Sequence, residues 1–207
     1  MLIAERLLLL CLDPVRGTLH SQRPATSFDT LCAAAVLVDL QAQGRLRYAH
    51  GLLRADASLP PAQPLLAAAL AALGEVPRTA PEAMRQIEQA LRPLARRLLD
   101  ALARGDLLHR VARVPGLPVF GVRHPLRSVQ AHNAAVHTLR EAARDPGRTE
   151  ALGLLLGAEV AGVMARCLDA AAHARASAAL LQLERLPADA PEGLATLAAV
   201  RRALLDD

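Results

Sequence analysis

The sequence predicts a mainly α-helical protein, with a single compact domain over residues 1–207 from which one β-hairpin protrudes. The first observation is that the chain is 53% hydrophobic but holds no Trp, one Tyr and two Phe. Its core must therefore consist of Leu, Ala and Val, and Ala and Leu are the strongest helix formers. The second observation is that only the segment at about 107–123 alternates convincingly with the period of a β-hairpin.

The amino-terminal part predicts two buried helices. Residues 3–12 form a short helix, whose apolar run is too short for a signal peptide or a membrane span. A turn at 13–17 and an irregular loop to residue 26 follow. Ser27 or Asp29 caps the next helix, which is apolar on most sides and ends near Gly44. The stretch 45–55 is expected to be extended, with a short strand pair as one arrangement.

The middle of the chain predicts helices with strong amino-terminal signals. A Pro-rich lead introduces a helix that ends at Gly74. Thr79 and Glu82 have the spacing of a capping box and predict the start of the next helix. That helix extends to Gly105, and Pro93 should kink it or divide it in two.

The last part of the chain predicts the hairpin and then four helices. The hairpin arms are residues 108–114 and 117–123, on either side of a Pro-Gly turn. Ser128 caps the following helix, and Asp145 begins a long one that continues to about residue 170. The two remaining helices are expected at 171–186 and 190–207.

Motifs of catalysis or cofactor binding are absent from the sequence. The chain has no Lys, so a Walker phosphate loop cannot form, and it lacks the glycine motif of dinucleotide-binding folds. Its three separated cysteines predict buried free thiols and no zinc site. Asp39 and Glu159 lie in apolar helices, where pairing with an arginine is the expected role of a buried acid. We therefore expect no enzymatic activity, no metal and no cofactor.

Positive charge is concentrated in the middle of the chain. Residues 84–148 contain twelve Arg against five acids, a net charge of +7, whereas the remainder has a net charge of −3. Three explanations of this charge are a solvated helix face, binding to nucleic acid and binding to an anionic lipid. Nucleic acid is the weakest, because stacking aromatic residues and known binding motifs are missing, so we expect no such partner. The apolar hairpin tip, VPGLPVF, suits either a membrane contact or a subunit interface.

The order of several motifs resembles the Golgi phosphoprotein 3 family. The opening AERLLLLCLDPVRG is similar to the family's E-x-L-L-L-L-x-L-x-D-x-x-G stretch, with Arg6 in place of a second acid. The segments VLVDLQAQGRL, PPAQPLLAAALAAL, LARRLLDALARG, RHPL and DPGRTEALGLLL follow in the family's order, and the resemblance spans residues 1 to about 205. Eukaryotic members bind phosphatidylinositol 4-phosphate at Golgi membranes and link glycosyltransferases to vesicle coats. The resemblance implies a mostly helical domain with a hydrophobic hairpin.

The resemblance also implies where a lipid site would lie. The family uses a Trp in the loop after the first turn, at the position near Arg23, and an Arg early in the apolar helix, at about Ala33. It uses two Arg on the basic helix. Arg96 or Arg97 matches one of them, and Arg92 lies one turn before Arg96. The implied head-group site is therefore partial, at Arg23, Arg92, Arg96 and Arg97.

Two hypotheses about function follow. The first is a non-enzymatic peripheral membrane protein that binds an anionic head group similar to phosphatidylinositol 4-phosphate, in the cytoplasm or on the inner membrane face. The second is a helical interaction module without a lipid role, which forms a homo-oligomer through the hairpin. Client proteins cannot be named from the sequence. In both hypotheses the contact is made by the apolar tip residues Val114, Leu117, Val119 and Phe120.

Overall fold

A computed structural model describes residues 1–20, 26–58, 60–112, 122–187 and 189–205. These residues are mainly α-helical, as the sequence predicts. The helices are α1 (Ile3–Cys11), α2 (Phe28–Ala42), α3 (Pro64–Leu73), α4 (Ala80–Leu91), α5 (Leu94–Arg104), α6 (Val129–Arg144), α7 (Thr149–Val160), α8 (Met164–Cys167), α9 (Ala170–Gln182) and α10 (Glu192–Leu205), with a 3-10 turn at Leu183–Arg185. The strands are β1 (Leu46–Ala49), β2 (Leu52–Ala55), β3 (Val111–Ala112) and β4 (Val122–Arg123). No helix in the described part of the chain is long and apolar enough to cross a membrane.

Helix α2 is the centre of the core. Every residue from Leu31 to Leu40 is buried, and the helix contacts α1, α4, α7 and α10. Glycines of α7 allow close approach, since a Cβ on Gly153 would lie 2.5 Å from Val38 and one on Gly157 would lie 2.9 Å from Leu7. The predicted opening run, Leu7 to Leu12, is thus part of a tightly packed interior.

Asp39 of α2 binds the amino end of α1. Its two carboxylate oxygens accept from the backbone N–H of Ile3 at 3.0 and 3.1 Å. Burial raises the pKa of Asp39 to about 6, although the backbone N–H groups and the nearby Arg6 oppose this. The expected ion pair with an arginine is therefore replaced by a backbone contact. Glu159 makes no ion pair with an arginine among the described residues, and its buried Oε2 has no hydrogen-bond partner there.

The stretch 45–55 forms a complete hairpin. Strands β1 and β2 pair antiparallel over four residues each, with Leu46 opposite Ala55. The turn residues His50 and Gly51 both have positive φ, at 51° and 81°, as a two-residue hairpin turn requires. The short strand pair named for this stretch is therefore confirmed. Its sequence signal is weaker than that of 107–123, because His-Gly replaces the usual Asn-Gly in the turn.

Several predicted boundaries are confirmed and one is wrong. Ser27 is the N-cap of α2, and its Oγ accepts from the backbone N–H of Thr30 at 3.0 Å. Pro93 divides the basic segment into α4 and α5, and its peptide bond with Arg92 is cis. The long helix expected from Asp145 begins later, at Thr149, and is interrupted at Gly162, where φ is +71°. A continuous apolar composition does not mark such an interruption.

Candidate functional site

Helix α5 presents its arginines to solvent on an amphipathic scaffold. Its buried face consists of Leu94, Ala95, Leu98, Leu99 and Leu102. Arg96 and Arg97 lie in its first turn on the opposite face and are exposed. Neither has an ion pair or hydrogen bond with a side chain in the described residues. Both guanidinium groups are exposed to solvent.

The amino end of α5 is held against the amino end of α2. Asp29 of α2 accepts from the backbone N–H of Ala95 at 2.7 Å. Thr30 of α2 donates to Glu88 of α4 at 3.0 Å. The amino termini of α2 and α5 thus lie side by side, and the carboxylates of Asp29 and Glu88 already meet their partial positive charge. Asp29 is the predicted alternative cap of α2, but its carboxylate caps α5.

The basic residues do not form one continuous helical face. Arg92 is at the carboxyl end of α4 and pairs with Glu88 at 2.9 Å. Pro93 separates it from Arg96 and Arg97, so the four-residue spacing of Arg92 and Arg96 does not place them on a common helix. Of the three, Arg92 is partly neutralised, whereas Arg96 and Arg97 are not.

The structure describes only one of the two other positions that the resemblance implies. Ala33, the approximate position that the resemblance implies for the family's early-helix arginine, is fully buried. Arg23 lies outside the described residues, which resume at Thr26, directly before the Ser27 cap.

The first turn packs against the end of the hairpin. Asp13 accepts from the backbone N–H groups of Val15 and Arg16 at 2.9 and 2.7 Å, which closes the turn. Gly17 has φ +66°, and a Cβ there would lie 2.2 Å from the backbone nitrogen of Pro125. Its carbonyl accepts from the N–H of His124 at 2.9 Å. The D-P-V-R-G turn and the R-H-P-L segment, which leaves the hairpin, are thus in direct contact.

Asp100 joins α5 to this hairpin. Its carboxylate accepts from Nε of Arg110 and lies within hydrogen-bond distance of Nε2 of the buried His124, both at 3.2 Å. Burial raises the pKa of Asp100, but the His124 hydrogen bond and the Arg110 charge outweigh it, so that the pKa is lowered overall. The basic helix and the base of the hairpin are therefore coupled.

The hairpin base is confirmed. Strands β3 and β4 pair antiparallel, with Val111 opposite Arg123 and Ala112 opposite Val122. The four tip residues that the sequence predicts as a membrane or oligomer contact lie outside the described residues. These are Val114, Leu117, Val119 and Phe120.

The largest-volume cavity described, the cysteines and the acidic side chains do not provide a second site for an anion in the described residues. A cavity of about 500 Å³ at the amino end of α1 has both signs of charge in its lining, including Arg6, Asp39, Glu141 and Arg148. The three cysteines are buried and free, and burial raises the pKa of Cys11 to about 12. Among the described residues no three His, Cys, Asp or Glu side chains are grouped to hold a metal.

Comparison with known proteins identifies the family. The family model for Golgi phosphoprotein 3 (GPP34) matches residues 3–205, nearly the whole chain. No curated protein sequence matches the chain. The matched range includes the first turn, the basic helix and the hairpin. The chain belongs to the Golgi phosphoprotein 3 (GPP34) family.

Proposed function

We propose that this protein is a peripheral membrane protein that binds anionic lipid head groups of the phosphatidylinositol 4-phosphate type. The observation that supports this most is the pair Arg96 and Arg97, exposed in the first turn of α5 without a partner in the described residues. Arginine binds a phosphate monoester through two parallel hydrogen bonds.

The binding should be weak and sensitive to salt. Each arginine near an anionic surface contributes about 1 kcal/mol, and an exposed charge is screened at physiological ionic strength. Two arginines therefore give an attraction of about 2 kcal/mol. The apolar tip, 114–120, would supply the remaining affinity by entering the bilayer interface. Asp100 supports this arrangement, because it bonds the base of the hairpin to α5.

The proposed role requires no catalysis. Several groups whose pKa is displaced have structural roles: Asp39 binds α1, Asp100 joins α5 to the hairpin, and the cysteines are buried in the core. We propose that the protein is not an enzyme.

Vesicle flotation tests the lipid proposal. The full chain is mixed with neutral phosphatidylcholine vesicles, with vesicles that also contain phosphatidylinositol 4-phosphate, and with phosphatidylserine vesicles of equal surface charge. We expect the strongest flotation with phosphatidylinositol 4-phosphate and its loss at high salt. Equal flotation with neutral vesicles would refute the proposal. Equal flotation with both anionic lipids would refute recognition of the specific head group.

The apolar tip favours one second candidate, a homo-oligomer formed through the hairpin. Replacing Leu117 and Phe120 with Asp would then lower the mass measured by light scattering. A monomeric mass for both the original protein and the variant would exclude this candidate.

A further inference from the structure

Three exposed valines lie in elements that meet at the base of the hairpin. Val15 is 83% exposed in the first turn, Val129 is 64% exposed at the start of α6, and Val111 is 40% exposed in β3. Single aliphatic side chains on a surface are ordinary, so the significance of these three depends on whether they lie together.

The first turn runs beside the chain that leaves the hairpin. The carbonyl of Pro14 accepts from the N–H of Leu126 at 3.2 Å, and the carbonyl of Gly17 accepts from the N–H of His124 at 2.9 Å. These two bonds flank Val15 and fix it next to residues 124–126.

The other side of the same stretch holds the remaining two valines. The carbonyl of Pro125 accepts from the N–H of His109 at 2.8 Å, two residues before Val111. The N–H of Ser128 donates to the carbonyl of Leu107 at 3.1 Å, and Val129 follows directly. The first turn, the 107–112 segment and the start of α6 therefore meet along one stretch of chain.

The charge of this region is positive. Segments 13–17, 106–112 and 122–129 contain four arginines and two aspartates, and Asp100 of α5 pairs with Arg110, which leaves a net charge of +1. Asp13 accepts from the turn backbone, and Arg127 and Arg110 pair with Asp106 and Asp100. Arg16 has no ion pair among the described residues and supplies the free positive charge. We call the set Val15, Val111, Val129, Arg16, Arg110 and Arg127 the valine face.

We propose that the valine face is a second membrane contact, made with an anionic bilayer whose interface receives the valines and whose head groups meet the arginines. This inference rests on the proposed function. The charge favours a bilayer over a second copy of the chain, because a symmetric dimer through this face would bring two positive surfaces together. The first turn thereby becomes part of the membrane-binding surface, beside α5 and the hairpin.

A single introduced tryptophan tests the inference, because the chain has none of its own. Val15→Trp in the full chain is titrated with neutral vesicles and with vesicles that contain phosphatidylinositol 4-phosphate. We expect the emission to shift to shorter wavelength only with the anionic vesicles, and lipids with brominated acyl chains to quench it. Leu181→Trp, at a site 53% exposed in α9, is the matched control and should not respond.

Flotation of the same Val15→Trp samples separates this inference from the proposed function. Protein that floats with anionic vesicles but keeps an unshifted, unquenched emission overturns the valine face and leaves the proposed function standing. Protein that does not float overturns both. A shift that appears on concentrating the protein without vesicles identifies a second copy as the occupant and overturns the inference. Val15→Asp should lower vesicle partitioning about tenfold, because it removes the burial of one aliphatic side chain.

Discussion

Replacing Asp39 with Asn removes a buried charge between α1 and α2 but keeps an acceptor for the Ile3 N–H. The side chain is 7% exposed in the folded protein. Burial raises its pKa from 3.8 to about 6, against the lowering by the N–H groups of Ile3 and Ala4 and by Arg6. A carboxyl whose pKa is higher in the folded state takes up a proton on folding, so acid stabilises the fold through this group.

The magnitude follows from the displacement of the pKa. A difference of about two pKa units corresponds to about 3 kcal/mol of unfolding free energy. This contribution is fully present below pH 3.8, where the carboxyl is protonated in both states, and is lost as the pH rises through about 6. Relative to Asp39→Asn, the original protein should therefore lose about 2 to 3 kcal/mol between about pH 4 and pH 7.

Urea denaturation of both proteins across this pH range measures the effect, since the titrations of the other groups cancel in the difference. Asp39→Ala is the control for the hydrogen bond. It leaves the Ile3 N–H unpaired and should cost about 1 kcal/mol even in acid. A difference between the original protein and Asp39→Asn that stays constant with pH would refute the raised pKa.

Three further predictions concern the first turn, the start of α5 and the core. Gly17→Ala should destabilise the protein by about 2 kcal/mol more than Gly44→Ala. Both glycines have φ +66°, but a Cβ meets backbone at 2.2 Å only at Gly17; equal melting temperatures would contradict this. Asp29→Ala should cost about 1 kcal/mol and speed hydrogen exchange at Ala95, whose N–H it leaves uncapped; unchanged exchange would count against the cap. The native thiols, Cys32 above all, should not react with a thiol reagent until the protein unfolds, and rapid labelling would show that the core is open.

Local chemistry made several elements predictable from the sequence. Ser27 has a side-chain oxygen that satisfies a helix N–H, and Thr79 with Glu82 does so reciprocally, with the Glu82 carboxylate 2.9 Å from the Thr79 nitrogen. Pro93 cannot continue a helix, and the division between α4 and α5 follows from this. In each case the decisive contact lies within a few residues of the signal.

Contacts between distant residues were not predictable. Asp39 and Ile3 are 36 positions apart, and no periodicity indicates that one binds the other. The close approach of Gly17 to Pro125 likewise depends on tertiary packing. The end of α7 could not be located, because a helix buried on all sides has no polar face to mark its limits.

The candidate site was predictable as a set of residues but not as an arrangement. Amphipathic spacing placed Arg96 and Arg97 on an exposed face. The pairing of Arg92 with Glu88, and its separation from the other two by Pro93, required the structure. The coupling of α5 to the hairpin through Asp100 has no sequence signal, since an acid on a basic helix is most simply explained as a solvated residue.

Charge reversal on α5 tests the central claim most directly. The double variant Arg96→Glu, Arg97→Glu is compared with Arg175→Glu, Arg185→Glu, which changes the net charge equally at exposed positions in α9 and the 3-10 turn. Flotation with phosphatidylinositol 4-phosphate vesicles should fall at least about thirtyfold for the α5 variant, because about 2 kcal/mol of attraction is lost and the new carboxylates repel the head groups, and little for the control. An equal fall in both variants, or none in the α5 variant, would contradict a lipid site on α5.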